Sequence, residues 1–471
     1  MKHSFTSSAP LISWENVYLA RDLHSVPLHL TPRPIQGHIH TRFIFNQLSL
    51  VNMPQVVLFA LAILPIIFAK DPFALSPGFD IVSVTAQAES LPSHSWEFGT
   101  ASEALLELYN PEISVYGLSP ISAQQHSPST VKALSYAKDK IAFGEGANGL
   151  SDGDGAVGDP ASLGIFAWLI GKTDDAYANG ARQEIEYMLE QAPRWENGAI
   201  SQRADVPELW SDFMYMAPPF IAYYAADTWN VSLLHDAYRQ CGYYREVLKA
   251  TNITREPYDG VWMHIIGPQS QDVGLWSTGN GWAAGGMTRV LATIMKAPVA
   301  CHASWRQEAI NDLTEWIREI VDGVIGSPTS QGLARNYLDD VWGDGHGFGE
   351  ISGTSLIASV IYRMAILCPD VFDQSHISWA DGVRATLGKN DKEGNPHVTA
   401  NGTVTPAVNP LGWQNIAPWT AGSPEGQCFV VLMYAAWRDC VYGGKCEYNE
   451  TGGWTQRRRE LKTTVHLGGR A

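Results

Sequence analysis

Residues 304–324 read SWRQEAINDLTEWIREIVDGV, and this stretch decides the fold class of the 471-residue chain. Its apolar residues recur at three- and four-residue steps, which is the spacing of one face of an α-helix. They are Ala309, Leu313, Trp316, Ile317, Ile320, Val321 and Val324. Ser304 and Gln307 have the spacing of a capping box, and Gly326 with Pro328 marks the end. The stretch predicts a helix over 304–324.

Similar periodicity predicts ten further helices, whereas strand signals are sparse. They cover roughly 100–109, 129–141, 160–171, 174–191, 217–228, 231–249, 279–296, 356–367, 377–388 and 424–441. The loops between them are rich in Gly, Pro and Trp, and no tight 34- or 40-residue repeat indicates a solenoid. A closed ring of helical hairpins would bury every inner helix and leave a cleft at one end. The pattern therefore favours an all-α fold, the α/α toroid.

Composition excludes disorder and disfavours a nucleic-acid partner. Hydrophobic residues make up 45% of the chain and charged residues 17%, a mix typical of a folded core. Asp+Glu number 48 against Lys+Arg 32, which gives a formal net charge of -16. Binding to a duplex depends on Lys and Arg contacts to phosphates, so an acidic chain is a poor candidate for it.

The N-terminal region contains a short apolar run with the length of a signal-peptide core. Fourteen apolar residues, 56–69, closely follow Met53 and are too few to span a bilayer comfortably. A buried helix is the alternative. We predict an extraneous N-terminal stretch over 1–52, a signal peptide with a short pro-segment over 53–88, a catalytic domain over 89–445 and a flexible tail over 446–471.

Sequons and cysteines are consistent with export. Four N-x-S/T triplets are present, at Asn230, Asn252, Asn401 and Asn449. Six cysteines allow fifteen pairings, and the local pair Cys440 and Cys446, which flanks a Gly443-Gly444 turn, is the favoured bridge. We expect a secreted, extracellular glycoprotein with no stable membrane association once the signal is removed.

The clearest candidate for acid chemistry is Asp212, in the stretch WSDFMYMAPPF over 210–220. Burial among apolar neighbours disfavours the charged form of a carboxylate and raises its pKa, as a general acid requires near neutral pH. The alternative is that Asp212 simply caps the helix that follows.

The stretch WSTGNGW over 276–282 suits sugar binding. Trp276 and Trp282 could stack on the apolar face of a pyranose, and Asn280 could bond its hydroxyls. A helix that begins at a tryptophan is the alternative. His264, in apolar company, is either a satisfied core histidine or a site residue.

Two glycine-rich loops carry further acids. In the first, Asp154 or Asp159 would reach the mouth of a cleft just before Pro160. The loop is not a dinucleotide motif because no strand precedes it, and Ala156 occupies a position that a calcium loop needs for a ligand. A solvated loop is the alternative. The second loop carries Asp339, Asp340, Asp344 and Glu350. No G-x-S-x-G elbow points to a serine hydrolase.

The order of these motifs resembles glycoside hydrolase family 105, the unsaturated rhamnogalacturonyl hydrolases, or the neighbouring unsaturated glucuronyl hydrolases. Residues 210–220 resemble the family's W-x-D-x-L-Y-M-x-x-P-F stretch. Four further stretches resemble family motifs in the same order: 259–264, 276–282, 350–355 and 423–427. The resemblance covers about 150–440 and skips the first hundred residues.

The resemblance implies a six-hairpin (α/α)6 barrel that removes a 4,5-unsaturated uronic acid from lyase-generated, pectin-type oligosaccharides by hydration of the enol ether. It implies no metal and no organic cofactor, and we expect a monomer. Asp212 matches the catalytic acid, and Asp159, with Asp154 as the fallback, matches a substrate-contacting acid. The implied pocket residues are Trp210, Met216, His264, Trp276 and Trp282.

One position departs from the family pattern. Thr278 stands where the family usually has Arg, and a hydroxyl cannot replace a planar guanidinium fork. Two alternatives therefore remain. The toroid could be an inverting glycosidase on saturated glycans, with Asp340 or Glu350 as the second carboxylate about 6.5–9.5 Å from Asp212, or a catalytically weak carbohydrate-binding relative.

Overall fold

A computed structural model describes residues 71–121, 124–151, 155–250, 258–341 and 345–448. Thirteen α-helices lie in these ranges, named here in chain order. They are α1 (Ile81–Ser90), α2 (Ser95–Tyr109), α3 (Lys132–Lys138), α4 (Gly158–Ala161), α5 (Gly164–Gly171), α6 (Asp175–Glu190), α7 (Phe213–Asp227), α8 (Val231–Leu248), α9 (Ser277–Lys296), α10 (Arg306–Gly326), α11 (Ile351–Leu367), α12 (Gln374–Leu387) and α13 (Pro424–Tyr442). Strands β1 (Leu209–Trp210) and β2 (Ile265–Ile266) form an antiparallel pair.

The helices alternate between an inner and an outer ring. The inner helices α2, α5, α7, α9, α11 and α13 are buried over most of their length. The outer helices α1, α3, α6, α8, α10 and α12 bury one face only, as in α10. Packing runs from α7 to α9, α11, α13 and α2, while α4 contacts both α2 and α7 and so closes the ring. The predicted all-α (α/α)6 barrel is confirmed.

The start of the helical body differs from the prediction. Helix α1 was not expected, and most of it lies in the predicted pro-segment, yet Ile81, Val84 and Ala88 are buried and the helix packs against α13. The barrel therefore begins upstream of residue 89. The predicted N-terminal stretch and the apolar run 56–69 lie outside the described residues. No helix within the described ranges is long and apolar enough to cross a membrane.

Two local predictions have opposite outcomes. The capping box at Ser304 is wrong, because α10 begins two residues later and Gln307 bonds Asn311 one turn along its own helix instead. The bridge between Cys440 and Cys446 is present at the end of α13, while the other four cysteines are unpaired. Cys446 is thereby fixed to the barrel, although the flexible tail was predicted to begin there.

A buried cluster of charges links the inner helices. Arg289 on α9 contacts Glu103 at 2.8 Å and also Glu107, both on α2. Arg363 on α11 contacts the second oxygen of Glu107 at 2.6 Å and Asp439 on α13 at 2.7 Å. Leaving one of these charges without its partner would be costly, so the pairs fix the relative positions of four inner helices.

Glycines allow the inner helices to approach closely. A Cβ atom at Gly286 on α9 would lie 1.9 Å from the carbonyl oxygen of Met214, and one at Gly353 on α11 would lie 2.5 Å from the carbonyl carbon of Ser277. Both obstacles are backbone atoms of the neighbouring inner helix. The width of the ring therefore depends on the absence of side chains at these two positions.

We expect Gly286→Ala to lower the free energy of unfolding by roughly 1–3 kcal/mol, because α7 and α9 must separate to admit the methyl group. Denaturant unfolding measures this change. Gly382→Ala is the matched control: a Cβ atom there meets nothing within 4 Å, so the same substitution should raise stability by about 0.5–1 kcal/mol. Equal effects of the two changes would contradict the close-packing argument.

Candidate active site

The inner helices begin at the same end of the barrel. A Cβ atom at Gly279, at the start of α9, would lie 2.3 Å from the Ser211 hydroxyl just before α7. A Cβ at Gly426, at the start of α13, would lie 3.1 Å from the Ser352 hydroxyl at the start of α11. Trp96, at the start of α2, donates a hydrogen bond to the start of α13. Residues that precede these helices therefore share one end of the ring.

Asp212 lies at this end, as the N-cap residue of α7, but its side chain does not cap the helix. The carboxylate is 16% exposed, so solvent reaches it. Its Oδ2 accepts a hydrogen bond from the Ser211 hydroxyl at 3.1 Å and lies 3.3 Å from Nε2 of His264. The flanking Phe213 and Met214 are buried as predicted, but the carboxylate itself meets polar partners.

The two short strands place Asp212 beside His264. Leu209 pairs with Ile266 and Trp210 with Ile265, and the Ser211 amide donates to the His264 carbonyl at 2.9 Å. Asp212 directly follows this paired segment. The strand pair therefore fixes the distance between the carboxylate and the imidazole without using a side chain.

His264 lies between two carboxylates. Its Nδ1 bonds Asp272 Oδ2 at 3.0 Å, and its Nε2 faces Asp212 without the alignment of a hydrogen bond. Burial opposes protonation, but the charges of Asp212 and Asp272 prevail and raise the pKa of His264 above its usual value.

Asp272 connects the imidazole to a tyrosine. The Tyr337 hydroxyl donates to Asp272 Oδ2 at 2.6 Å. Burial favours the neutral carboxyl, but hydrogen bonds from His264 and Tyr337 lower the pKa of Asp272 to about 2. Asp272 is therefore a fixed anion that orients the His264 ring and favours its protonated form. Sequence reasoning missed both residues.

Three tryptophans surround the imidazole. The ring centroids of Trp276, Trp413 and Trp210 lie 4.4, 5.3 and 5.9 Å from that of His264. Trp210 donates to Glu208 at 2.8 Å, and Trp276 donates to Asn336 at 2.8 Å, so hydrogen bonds orient both rings. The indole nitrogen of Trp413 is buried without a hydrogen-bond partner among the described residues. Trp413, in a loop, was not predicted.

The predicted second acid also lies at this end of the ring. Asp159 belongs to α4, and its Oδ1 accepts a hydrogen bond from Gln202 at 2.7 Å. A Cβ at the preceding Gly158 would lie 2.8 Å from the Phe213 ring, so α4 contacts the start of α7. The fallback residue, Asp154, lies outside the described residues. Met216 is buried one helical turn along α7 from Asp212.

Two predicted sugar contacts have structural roles instead. Trp282 is fully buried, and its ring packs against Tyr215 and Phe429 inside the barrel. Asn280 is 1% exposed; its side chain accepts from the Trp262 amide and donates to the carbonyls of Trp262 and Trp276. A fully enclosed ring cannot stack on a sugar, and an amide that is already hydrogen-bonded within the protein cannot bind sugar hydroxyls. The prediction is therefore corrected at both positions.

Glu350 is used as a helix cap. It is fully buried, and its two oxygens accept from the amides of Ser352 and Gly353, both at 2.6 Å. The hydroxyls of Ser277 and Thr278 donate to the same carboxylate at 2.9 and 3.1 Å. Thr278 thus contacts Glu350, and this acid has few remaining sites for the water that an inverting glycosidase must activate.

A cavity of about 490 Å³ adjoins Asp272 and Tyr337, the residues hydrogen-bonded in series to His264. Its wall includes Asp272, Tyr337, Asp339, Asp340 and His346. A larger cavity of about 700 Å³, lined in part by Met295 and Leu367 near the ends of α9 and α11, contains none of the predicted site residues. Among the described residues, no group of three or more His, Cys, Asp or Glu side chains could hold a metal ion.

Comparison with known proteins gives this site its class. The family model described as Glycosyl Hydrolase Family 88 matches residues 160–409, more than half of the chain. The protein is therefore a glycoside hydrolase. It belongs to Glycosyl Hydrolase Family 88, and the resemblance to family 105 is supported by solved structures from both families.

Three solved structures share the barrel at low sequence identity. A family 105 glycoside hydrolase from C. acetobutylicum is 16% identical, covering 76% of this chain and 98% of its own, with a TM-score of 0.55. A family 88 hydrolase from Bacteroides vulgatus is 14% identical, with 76% and 98% covered and a TM-score of 0.54. An unsaturated glucuronyl hydrolase specific for heparin is 13% identical, with 78% and 97% covered and a TM-score of 0.50.

These identities establish similarity of fold alone. No curated protein matches the chain. The shared fold therefore does not identify the substrate.

We expect His264 to make stability depend on pH. Because folding raises the pKa of His264, its stabilising contribution is complete below the ordinary histidine pKa of about 6.5 and is lost as pH rises through the raised value. Each unit of the shift corresponds to about 1.4 kcal/mol. Urea unfolding of wild type and His264→Gln should therefore show a larger stability difference at pH 6 than at pH 9.

The same comparison in an Asp212→Asn background supplies the control. Removing one of the two carboxylates should shrink the pH-dependent part of the difference. A difference that is constant across pH would contradict the charge environment described for His264.

Proposed function

We propose that the protein removes a 4,5-unsaturated uronic acid from oligosaccharides produced by a polysaccharide lyase, with fragments of pectin as the substrate class. The observation that carries the proposal is the placement of Asp212, partly exposed at the shared end of the inner helices, 3.3 Å from a buried histidine ringed by tryptophans. The name of one solved neighbour, an unsaturated glucuronyl hydrolase specific for heparin, supports an unsaturated uronyl substrate. The choice of pectin fragments rests on the resemblance of the five motifs to family 105.

The reaction adds water across the C4=C5 double bond. A proton passes from the Asp212 carboxyl to C4, and C5 becomes electron-deficient with help from the ring oxygen. Water then attacks C5 and returns a proton to Asp212. The resulting hemiketal opens, and collapse at C1 releases the remaining sugar as an alcohol. One acid/base residue suffices, whereas ordinary glycosidases need two carboxyl groups.

His264 supports both proton transfers. Its raised pKa keeps a proton opposite Asp212 Oδ2, so the pair together holds the proton that C4 receives. The proton moves from Nε2 through Oδ2 to C4, which leaves a neutral imidazole beside the Asp212 carboxylate, and the pair recovers its proton from the attacking water. Asp272 and Tyr337 hold the imidazole in place, which keeps the donor at a constant distance from the sugar.

The sugar would be bound by the aromatic residues and by Asp159. Trp210 and Trp413 are both partly exposed, and their rings lie 5.5 Å apart. Aromatic rings pack well on the apolar faces of sugars. Because Thr278 stands where the family usually has Arg and contacts Glu350, we propose that the preferred fragment of lyase-cut pectin differs from the standard one.

The wild-type protein should abolish the ultraviolet absorbance of the enol ether in lyase-cut pectin fragments. Asp212→Asn should lower kcat by roughly 10²–10⁴-fold, because it removes the proton donor while preserving the shape of the side chain. Absorbance under substrate saturation measures both rates.

Asp370→Asn is the matched control. Asp370 is exposed and follows the end of α11, at the opposite end of the barrel, so its activity should equal that of wild type. Equal rates for wild type and Asp212→Asn would exclude the proposed role of Asp212.

We also propose that the protein is secreted and glycosylated. Asn230 and Asn401 are both exposed, as an acceptor residue must be, while Asn252 and Asn449 lie outside the described residues. Expressed with residues 53–69 in a secreting eukaryotic host, the protein should appear in the medium. Its apparent mass should fall on enzymatic removal of N-glycans, and less so for Asn230→Gln with Asn401→Gln. Retention of the unprocessed chain inside the cell would contradict this proposal.

A further inference from the structure

Glu425 begins the inner helix that lies opposite Asp212. Around the ring, α11 and α9 separate α13 from α7 on one side, and α2 and α4 separate them on the other. Glu425 is the second residue of α13, and Asp212 directly precedes α7. Both carboxyl groups therefore lie at the same end of the barrel, on opposite sides of its axis.

One carboxyl oxygen of Glu425 accepts a hydrogen bond and the other does not. The residue is 2% exposed, and Oε1 accepts a hydrogen bond from the indole of Trp96 at 3.0 Å. Oε2 is buried and has no hydrogen-bond partner among the described residues. An unsatisfied buried polar atom is costly, so its presence in a native protein calls for an explanation such as a role at a functional site or a bound water or ion.

The surroundings of Glu425 favour its neutral form. The titratable groups that face it are Glu97 on α2, Asp212 before α7, Glu350 before α11 and Cys428 on its own helix. Burial, followed by repulsion from Asp212 and Glu97, raises the pKa of Glu425 well above its usual value. Because Oε1 accepts from Trp96, the proton belongs on Oε2, which then becomes a donor.

We propose that Glu425 is a specificity-determining residue for the unsaturated uronyl substrate, and that its Oε2 hydroxyl donates a hydrogen bond to a neutral oxygen of the bound sugar across from Asp212. The acceptor is a hydroxyl or ether oxygen, because the acids around Glu425 would repel a carboxylate. This inference rests on the proposed function, and it assigns the second carboxyl group to recognition of the sugar.

The test compares Glu425→Ala and Glu425→Gln on an unsaturated disaccharide from lyase-cut pectate. The alanine variant should raise KM about tenfold, the loss expected for one hydrogen bond to a buried group, with little change in kcat. The glutamine variant keeps an acceptor for Trp96 and a donor for the sugar, so it should recover most of the affinity. Should the alanine variant fail to fold, Glu425→Met fills the space without a donor.

Infrared spectroscopy tests the proton on Glu425 without substrate. The difference spectrum between wild type and Glu425→Gln at pH 7 should contain the carbonyl band of a neutral carboxylic acid. Glu184→Gln is the matched control, a buried glutamate on the outer helix α6. A carboxylate band in place of the acid band would overturn the inference.

Binding of the same disaccharide to Asp212→Asn, with and without Glu425→Ala, separates this inference from the proposed function. Turnover by wild type with an unchanged KM in the alanine variant would overturn the inference and leave the function intact. Binding that weakens without Glu425, in a protein that never turns the disaccharide over, would reject the function and retain the inference. Absence of both turnover and binding would reject both.

Discussion

Two arginines that share one carboxylate set the geometry of the barrel. Glu107 on α2 accepts from Arg289 on α9 and from Arg363 on α11, and all three side chains are buried. Each charge requires its partners because nothing else in the interior would solvate it. The spacing of these inner helices is therefore constrained. Arg289 also donates to the Tyr215 hydroxyl on α7 at 2.7 Å, so the position of Asp212, which precedes α7, is constrained as well.

The site reuses helix starts for three different purposes. Both carboxyl oxygens of Glu350 accept hydrogen bonds from the first amides of α11, so this residue acts as a helix cap. Asp212 occupies the equivalent position on α7, but its side chain accepts no hydrogen bond from the first amides of that helix and instead faces His264. Glu425 lies just inside α13 and bonds an indole. Carboxyl groups at similar positions thus have different roles because different neighbouring groups contact their oxygens.

Sequence periodicity predicted the ring because the outer helices bury a single face. Six of the seven apolar steps of 304–324 are buried in α10, and Trp316 is the exception. The same reasoning could not separate Trp276 from Trp282. Both are buried and lie within seven residues, and only the position of Trp276 just before α9, beside His264, distinguishes them. Asp272 was missed for a related reason. Its contact with His264 depends on the local pairing of Ile265 with Asp272, and no spacing rule predicts that pairing.

The shared direction of the inner helices has an electrostatic consequence. The first amides of each helix carry a partial positive charge, about half an elementary charge per helix. Where α7, α9, α11, α13 and α2 all begin together, these partial charges add. Acids precede or open four of these five helices: Glu97, Asp212, Glu350 and Glu425. The peptide backbone thus supplies a counter-field that lets an acidic protein crowd carboxyl groups into one end of a barrel.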